Sequence, residues 1–371
     1  MLIGVPKEIK NHEYRVGLTP SSVRELVHHN HRVMVESGAG HGIGMLDDDY
    51  RIAGAEIVDD VEKIYSSTDM IVKVKEPQPV ECSMLHEGQV VFTYFHLAPA
   101  PDLTAALITS GVIAIAYETV TGPGNTLPLL APMSEVAGRL SIQAGAHCLE
   151  RDQGGKGILI GGVPGVAPAK VLVLGGGVVG QNAAAVAVGM EADVTLLDIS
   201  LPRLRQIDSE FSGRVKCIYS TREMIEKYTL DADLVIGAVL VPGAAAPKIL
   251  SREVIMQMSN GSVFVDVCID QGGCSETSRP TTHQDPIYVE GNVVHYCVTN
   301  MPGAVPRTSA FALNNATLPF TLALANLGYK QAMQADSGLM NGLNIYKGSV
   351  THAAVASALG YEHTPAKEIL N

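Results

Sequence analysis

The stretch Lys170-Val-Leu-Val-Leu-Gly175-Gly176-Gly177-Val178-Val179-Gly180 carries the sharpest chemical signal in the chain. Gly175, Gly177 and Gly180 have the G-x-G-x-x-G spacing. In that pattern the first glycine permits a tight turn, the second lets backbone approach a pyrophosphate, and the third packs the helix close to its strand. The helix N-terminus then turns free N–H groups and a positive dipole end toward the phosphates. An apolar strand precedes the loop and an Ala-rich helix follows it. A second strand ends in Asp198, 18 residues beyond Gly180. A carboxylate there accepts hydrogen bonds from the adenosine ribose hydroxyls and repels a 2′-phosphate, so the expected cofactor is NAD rather than NADP. Arg203 is placed to flank the adenine, or equally to be a solvated helix arginine.

A nicotinamide cofactor needs a second substrate, and cationic groups in the first part of the chain are the clue to it. Lys73 and Lys75 sit at the end of an apolar strand, before Glu76-Pro77. Strand ends facing a cleft carry functional groups in α/β folds. Alternation puts both lysines on one face, so pattern does not choose between them. Arg15 follows the polar loop Lys10–Tyr14, where a surface arginine is the plain alternative. His96 lies in the apolar run Thr93-Tyr-Phe-His-Leu-Ala-Pro, where the plain alternative is a core histidine. A functional reading is chemically sensible because imidazole titrates near neutrality. The run His28-His29-Asn30-His31 suits no tetrahedral site and reads as a polar helix end; no metal is assigned. The six cysteines include no C-x-x-C pair, which points to reduced thiols in a cytoplasmic protein rather than to zinc or disulfides.

A chain of 371 residues suggests two domains. Asp and Glu outnumber Lys and Arg by 38 to 26, a net charge of −12, which disfavours nucleic acid and anionic membrane as partners. Short apolar runs alternate with helix-like segments twice. The first series predicts strands at Met1–Val5, Arg32–Glu36, Ala55–Val58, Met70–Val74, Val90–Tyr94 and Val112–Ala116. The second predicts strands at Val171–Leu174, Val194–Leu197, Val215–Ile218, Leu234–Ile236, Ser262–Val267 and His295–Cys297. Alternation of this kind implies parallel sheets covered by helices. Turn-rich residues 121–132 mark a boundary, followed by a helix over Ser134–Arg151. A long uncharged helix is expected over Thr308–Leu327, then a short helical tail that packs back on the first domain. The fold expected is α/β: two doubly wound, Rossmann-like parallel-sheet domains separated by a cleft and linked by long helices. Residues 1–128 with 306–371 form the substrate domain, and residues 129–305 the NAD-binding domain.

Gly4-Val-Pro-Lys-Glu8, Val72-Lys-Val-Lys-Glu76-Pro77, Thr93-Tyr-Phe-His96-Leu, Pro132-Met-Ser134-Glu-Val-Ala-Gly, the glycine loop and Asp266-Val-Cys-Ile-Asp270-Gln-Gly-Gly occur in an order that resembles alanine dehydrogenases over essentially the whole chain. Less closely, the chain is similar to the soluble nucleotide-binding part of transhydrogenase and to lysine-forming saccharopine dehydrogenase. The resemblance implies NAD-dependent interconversion of L-alanine with pyruvate and ammonium. It implies that Arg15 clamps the substrate carboxylate and that Lys75, not Lys73, holds its carboxylate or carbonyl oxygen. It makes His96 the general acid/base and Asp270 the second catalytic group, placed also at the cofactor. Further cofactor contacts are implied at Ser134, Val178, Val179, Arg203, Ser220, Val239 and Leu240, and at Val267, Arg279, Val298, Asn300 and Met301. A homohexamer is implied too. A transhydrogenase subunit, a dehydrogenase for a bulkier 2-oxo acid and an NAD-responsive regulator are the rival readings. The joint presence of Arg15, Lys75, His96 and Asp270 favours the amino-acid enzyme.

Overall fold

The computed structural model describes residues 1–239 and 246–370. It divides into two units, Met1–Met133 with the chain from Val305 onward, and Ser134–Ala304. The first unit opens with β1 (Leu2–Val5), β2 (Arg32–Glu36), β3 (Glu56–Val58), β4 (Met70–Val72), β5 (Val90–Thr93) and β6 (Ile113–Ala116). All pair in parallel, as their continuous apolar runs require of strands covered on both faces. The fourth strand is shorter than expected. It stops at Val72, and the chain bends at Val74 and Lys75. Strand alternation therefore does not reach the two lysines.

The second unit holds β7 (Lys170–Leu174), β8 (Asp193–Asp198), β9 (Val215–Tyr219), β10 (Leu234–Gly237), β11 (Val263–Asp266), β12 (Ile287–Glu290) and β13 (Val293–Tyr296). Its sheet runs β12-β13-β11-β10-β7-β8-β9, with every pair parallel except the edge hairpin β12–β13. The hairpin was not expected, although its two-residue Gly291-Asn292 loop is a legible turn signal.

The chain then returns to the first unit with β14 (Leu343–Tyr346) and β15 (Ser349–Val350). The tail is thus not purely helical. Lys347 and Gly348, at φ 45° and 92°, make the tight turn between the two strands, and β14 pairs antiparallel with β6. The first sheet runs β15-β14-β6-β5-β4-β1-β2-β3. In both sheets three strands wind one way from the first strand, and the next strand pairs with its other side. The carboxyl ends of β1 and β4, and of β7 and β10, flank the points where winding reverses. Doubly wound sheets bind ligands there.

The helix expected over Ser134–Arg151 runs over Ala131–Cys148, and the long C-terminal helix over Pro306–Ala335 with a break at Gly328. Asn314 of that helix accepts hydrogen bonds from Thr19 N (2.8 Å) and Ser22 Oγ (2.9 Å), fixing the start of the first helix after β1. Among the described residues no helix is long and apolar enough to cross a membrane.

Candidate active site

In the first unit the chemistry-bearing groups all follow carboxyl ends of parallel strands: Glu13 and Arg15 after β1, Lys75 after β4, His96 after β5, Glu118 after β6. Gly17 lays the segment carrying Arg15 against the end of β4, where a Cβ at Gly17 would stand 2.2 Å from Val72 O. Arg15 is no surface arginine, being 2% exposed. Its Nε and Nη2 donate to the two carboxylate oxygens of Glu13, at 2.7 and 2.5 Å, and Nη1 points at Met133 Sδ, 3.1 Å away. Burial pushes the Glu13 carboxyl up, but the hydrogen bonds and charge of Arg15 outweigh it and hold the group at about 2.

That depression has a stability consequence. A carboxyl titrating lower in the folded than in the unfolded chain stabilises the fold above its unfolded value, and the benefit fades as pH falls toward its folded value. Glu13 is worth up to ~3 kcal/mol on this basis. The gap in urea midpoint between the unmutated chain and Glu13→Gln is expected to be full at pH 6 and to shrink steadily between about pH 5 and pH 3. A gap independent of pH contradicts the depressed carboxyl.

The two lysines part company. Lys73 is fully buried, with Nζ 2.7 Å from Glu81 Oε1 and 3.1 Å from Glu8 Oε2. Tyr65 OH also donates to Glu81 Oε1. Lys73 is therefore spent inside the unit. Glu8 turns its other oxygen to Val74 N and Lys75 N, and Thr93 Oγ1 donates to Lys75 O, so the backbone of Lys75 is held on both sides. Among the described residues the Lys75 ammonium makes no ion pair. Burial lowers its pKa, and the charges of Arg15 and Lys10 push the same way, against Glu13 and Glu76.

His96 is not a core histidine either. Its side chain is exposed between buried Phe95 and Leu97. Its backbone is left-handed, at φ 51°, which costs a non-glycine residue about 1–2 kcal/mol. The Glu118 carboxylate offsets this by accepting His96 N (2.6 Å) and Phe95 N (3.2 Å). The imidazole stacks on Tyr94, centroids 5.9 Å apart and planes within 7°. Tyr94 is pinned edge-on to Tyr117, donates its hydroxyl to Leu129 O, and feels the charge of Arg15. Glu13 and Glu118 were missed in the sequence. Glu13 had a faint signal, two residues before Arg15. Glu118 had none.

In the second unit the glycine loop joins β7 to the helix Val178–Gly189. Gly175 has φ 102°, and a Cβ at Gly180 would meet Gly175 O at 1.8 Å. At Gly177, by contrast, a Cβ would meet nothing within 4 Å among the described residues. Gly177 caps a helix with no acidic residue in its first turn, whose leading amides belong to Val178 and Val179. Asp198, closing β8, accepts Gly176 N (2.6 Å) and Ser200 N (2.7 Å), which fixes its carboxylate beside the loop. Arg203 donates from Nε to Gly176 O and from Nη2 to Gln181 Oε1, so it braces the loop rather than lying in solvent. These groups fit a dinucleotide.

The other candidates are distributed unevenly. Ser220, Val239, Val267, Asp270, Val298 and Asn300 fall just beyond the carboxyl ends of β9, β10, β11 and β13, on the same edge as the glycine loop. Asp270 is exposed on the 3₁₀ turn Val267–Gln271. Asn300 is left-handed at φ 58°, and Met301 is buried. Arg279 is exposed, its guanidinium 3.9 Å from the ring centroid of Tyr288. Ser134 lies near the start of Ala131–Cys148. Leu240 lies outside the described residues. Asp266, Cys268 and Cys274 cluster behind this edge, but the Asp266 carboxylate already takes Cys268 N, Cys274 N and Ser278 Oγ, which makes it a loop anchor.

Residues 4–137 match the family described as the alanine dehydrogenase/PNT N-terminal domain, and residues 141–353 its C-terminal domain. The chain is 56% identical over 370 residues to the alanine dehydrogenase of Halomonas elongata, covering 100% of both chains. It is 51% identical, again over 100% of both, to that of Mycolicibacterium smegmatis. A solved L-alanine dehydrogenase superposes with a TM-score of 0.95 at 53% identity, covering 97% of this chain and 99% of the other.

Proposed function

The chain belongs to the alanine dehydrogenase/PNT family, and from that premise we propose which of its residues carry the reaction. It is an amino-acid dehydrogenase that interconverts L-alanine with pyruvate and ammonium. The cofactor we assign is NAD, held by the loop Gly175, Gly177 and Gly180, the amides of Val178 and Val179, and the Asp198 carboxylate on the adenosine ribose. Ser134, Arg203, Ser220, Val239, Leu240, Val267, Asp270, Arg279, Val298, Asn300 and Met301 complete that assignment by family resemblance.

One observation carries the substrate assignment: a buried arginine and a half-buried lysine, with no ion pair to it among the described residues, lie within electrostatic reach of each other. Glu13 neutralises one of the two. An anionic ligand relieves the other, and a carboxylate matches both donors. Arg15 and Lys75 thus hold the carboxylate of alanine or pyruvate, with Lys75 also reaching the carbonyl oxygen.

Bound NAD⁺ supplies the hydride acceptor for the alanine Cα. The protein must supply the proton transfers. The substrate ammonium first loses a proton to solvent. After oxidation water adds to the iminium carbon, and its proton passes to His96. His96 returns that proton to nitrogen, then takes the carbinolamine hydroxyl proton as the C–N bond breaks, and ammonia leaves as pyruvate forms. Asp270 positions the water and stabilises the positive charge of the iminium. Residues 1–128 with 306–371 serve as the substrate domain, and residues 129–305 as the cofactor domain. We place the enzyme in the cytoplasm, on its cysteine usage, and as a homohexamer, on the family resemblance.

The deciding measurement is NADH oxidation followed at 340 nm with pyruvate, with and without ammonium. Oxidation that requires both is expected. Oxidation without ammonium would make it a 2-hydroxy-acid dehydrogenase, and the proton-transfer roles would have to be reassigned.

A further inference from the structure

We propose that Glu118 is a positioning residue for His96: by accepting the amides of Phe95 and His96 it fixes the left-handed backbone that aims the imidazole. The proposal rests on the acid–base reading of His96 above and adds a residue that acts only through it.

Three features meet at one turn. First, Oε1 of Glu118 lies 2.6 Å from His96 N and 3.2 Å from Phe95 N, and Oε2 lies 3.3 Å from Phe95 N. One carboxylate therefore takes two successive amides, a charge-assisted arrangement stronger than a neutral turn bond. Second, the residue so held is left-handed, at φ 51°. Histidine has no intrinsic need of that conformation, and such strain persists only where surroundings impose it, most often at functional sites. Third, the conformation sends the Phe95 and Leu97 side chains into the core while the His96 ring emerges. A relaxed backbone at His96 would re-aim the ring.

The aromatic side chains then set the ring plane. Phe92 and Tyr117 meet edge-on with centroids 4.4 Å apart, Tyr117 meets Tyr94 edge-on at 5.0 Å, and Tyr94 carries the imidazole in a near-parallel stack. Tyr117 is the residue before Glu118. The turn after β6 thus delivers both supports, one to the backbone of His96 and one, through Tyr94, to its ring. A displacement of about 1 Å in a proton-transfer group costs on the order of 100-fold in rate, which is the scale on which such a support is felt.

The test is a double-variant cycle read by kcat, KM for L-alanine and NADH affinity. Glu118→Ala is expected to lower kcat by roughly 10- to 100-fold. KM and NADH affinity should stay within about twofold, as for an interaction needed in the chemical step alone. Glu118→Gln, which keeps an acceptor oxygen for His96 N, is expected to recover most of the turnover and serves alone if the alanine variant does not fold. In the His96→Ala background Glu118→Ala is expected to add no further loss. Losses that instead add, a Glu118→Ala enzyme with kcat near that of the unmutated chain, or a Gln variant no better than Ala would overturn the positioning role while leaving His96 catalytic. Undiminished turnover in His96→Ala alone would overturn the acid–base reading, and the proposal with it.

Discussion

Replacing His96 with alanine is expected to lower turnover by about 10²- to 10⁴-fold, the usual contribution of a positioned general acid or base. NADH affinity should hardly change. His96 lies on the first unit, beside Tyr94 and under Glu118, whereas the glycine loop and Asp198 belong to the second. The loss should appear in kcat in both directions of the reaction, because the same imidazole accepts a proton one way and returns it the other. His96→Asn is the informative companion. Asparagine tolerates the left-handed backbone that His96 adopts but cannot act as an acid or base. If Asn restores activity, the histidine serves geometry and not proton transfer. Stopped-flow rates at 340 nm and NADH fluorescence titrations separate the two effects.

The second large effect separates two neighbouring lysines. Lys73→Met should destabilise the protein by roughly 3–5 kcal/mol, because it strands buried carboxylates that the ammonium now neutralises. Glu8 and Glu81 are 7% and 2% exposed, and Lys73 contacts both. Lys75→Met should leave stability within about 1 kcal/mol, since no ion pair among the described residues is broken and a desolvated cation beside Arg15 is removed. It should instead raise KM for L-alanine and pyruvate. Urea denaturation and initial-rate kinetics on the two variants give the contrast. Equal stability losses would mean that the two ammonium groups are held alike. An unchanged KM in Lys75→Met would remove the lysine from the substrate site.

The glycine loop was legible in sequence because its requirements are local. A positive φ at Gly175 and the 1.8 Å at which a Cβ on Gly180 would meet Gly175 O arise within six residues of chain. Asp198 was legible through its place at the end of the second strand, 18 residues beyond Gly180. The parallel strands were legible for a similar reason: continuous apolar runs between helical patterns mark sheets buried on both faces. The antiparallel edges were harder. Each strand there is short, and the β14–β15 turn uses Lys347-Gly348, a weaker signal than Asn-Gly.

By itself, then, the sequence determined an α/β chain with a dinucleotide loop, and its resemblance to alanine dehydrogenases put numbers on the remaining candidates. Only the tertiary structure decided what each candidate is free to do. Lys73 and Lys75 differ by two positions, yet one meets Glu8 and Glu81 and the other meets neither with its ammonium. Arg15 and His96 exchange the environments their neighbours suggest: the loop arginine is buried, and the histidine of the apolar run is exposed. Glu118 reaches His96 across 22 residues, and Glu8 reaches Val74 across 66. Burial and partner choice depend on segments that the sheet order brings to one edge, whereas turn chemistry and strand periodicity are written in adjacent residues.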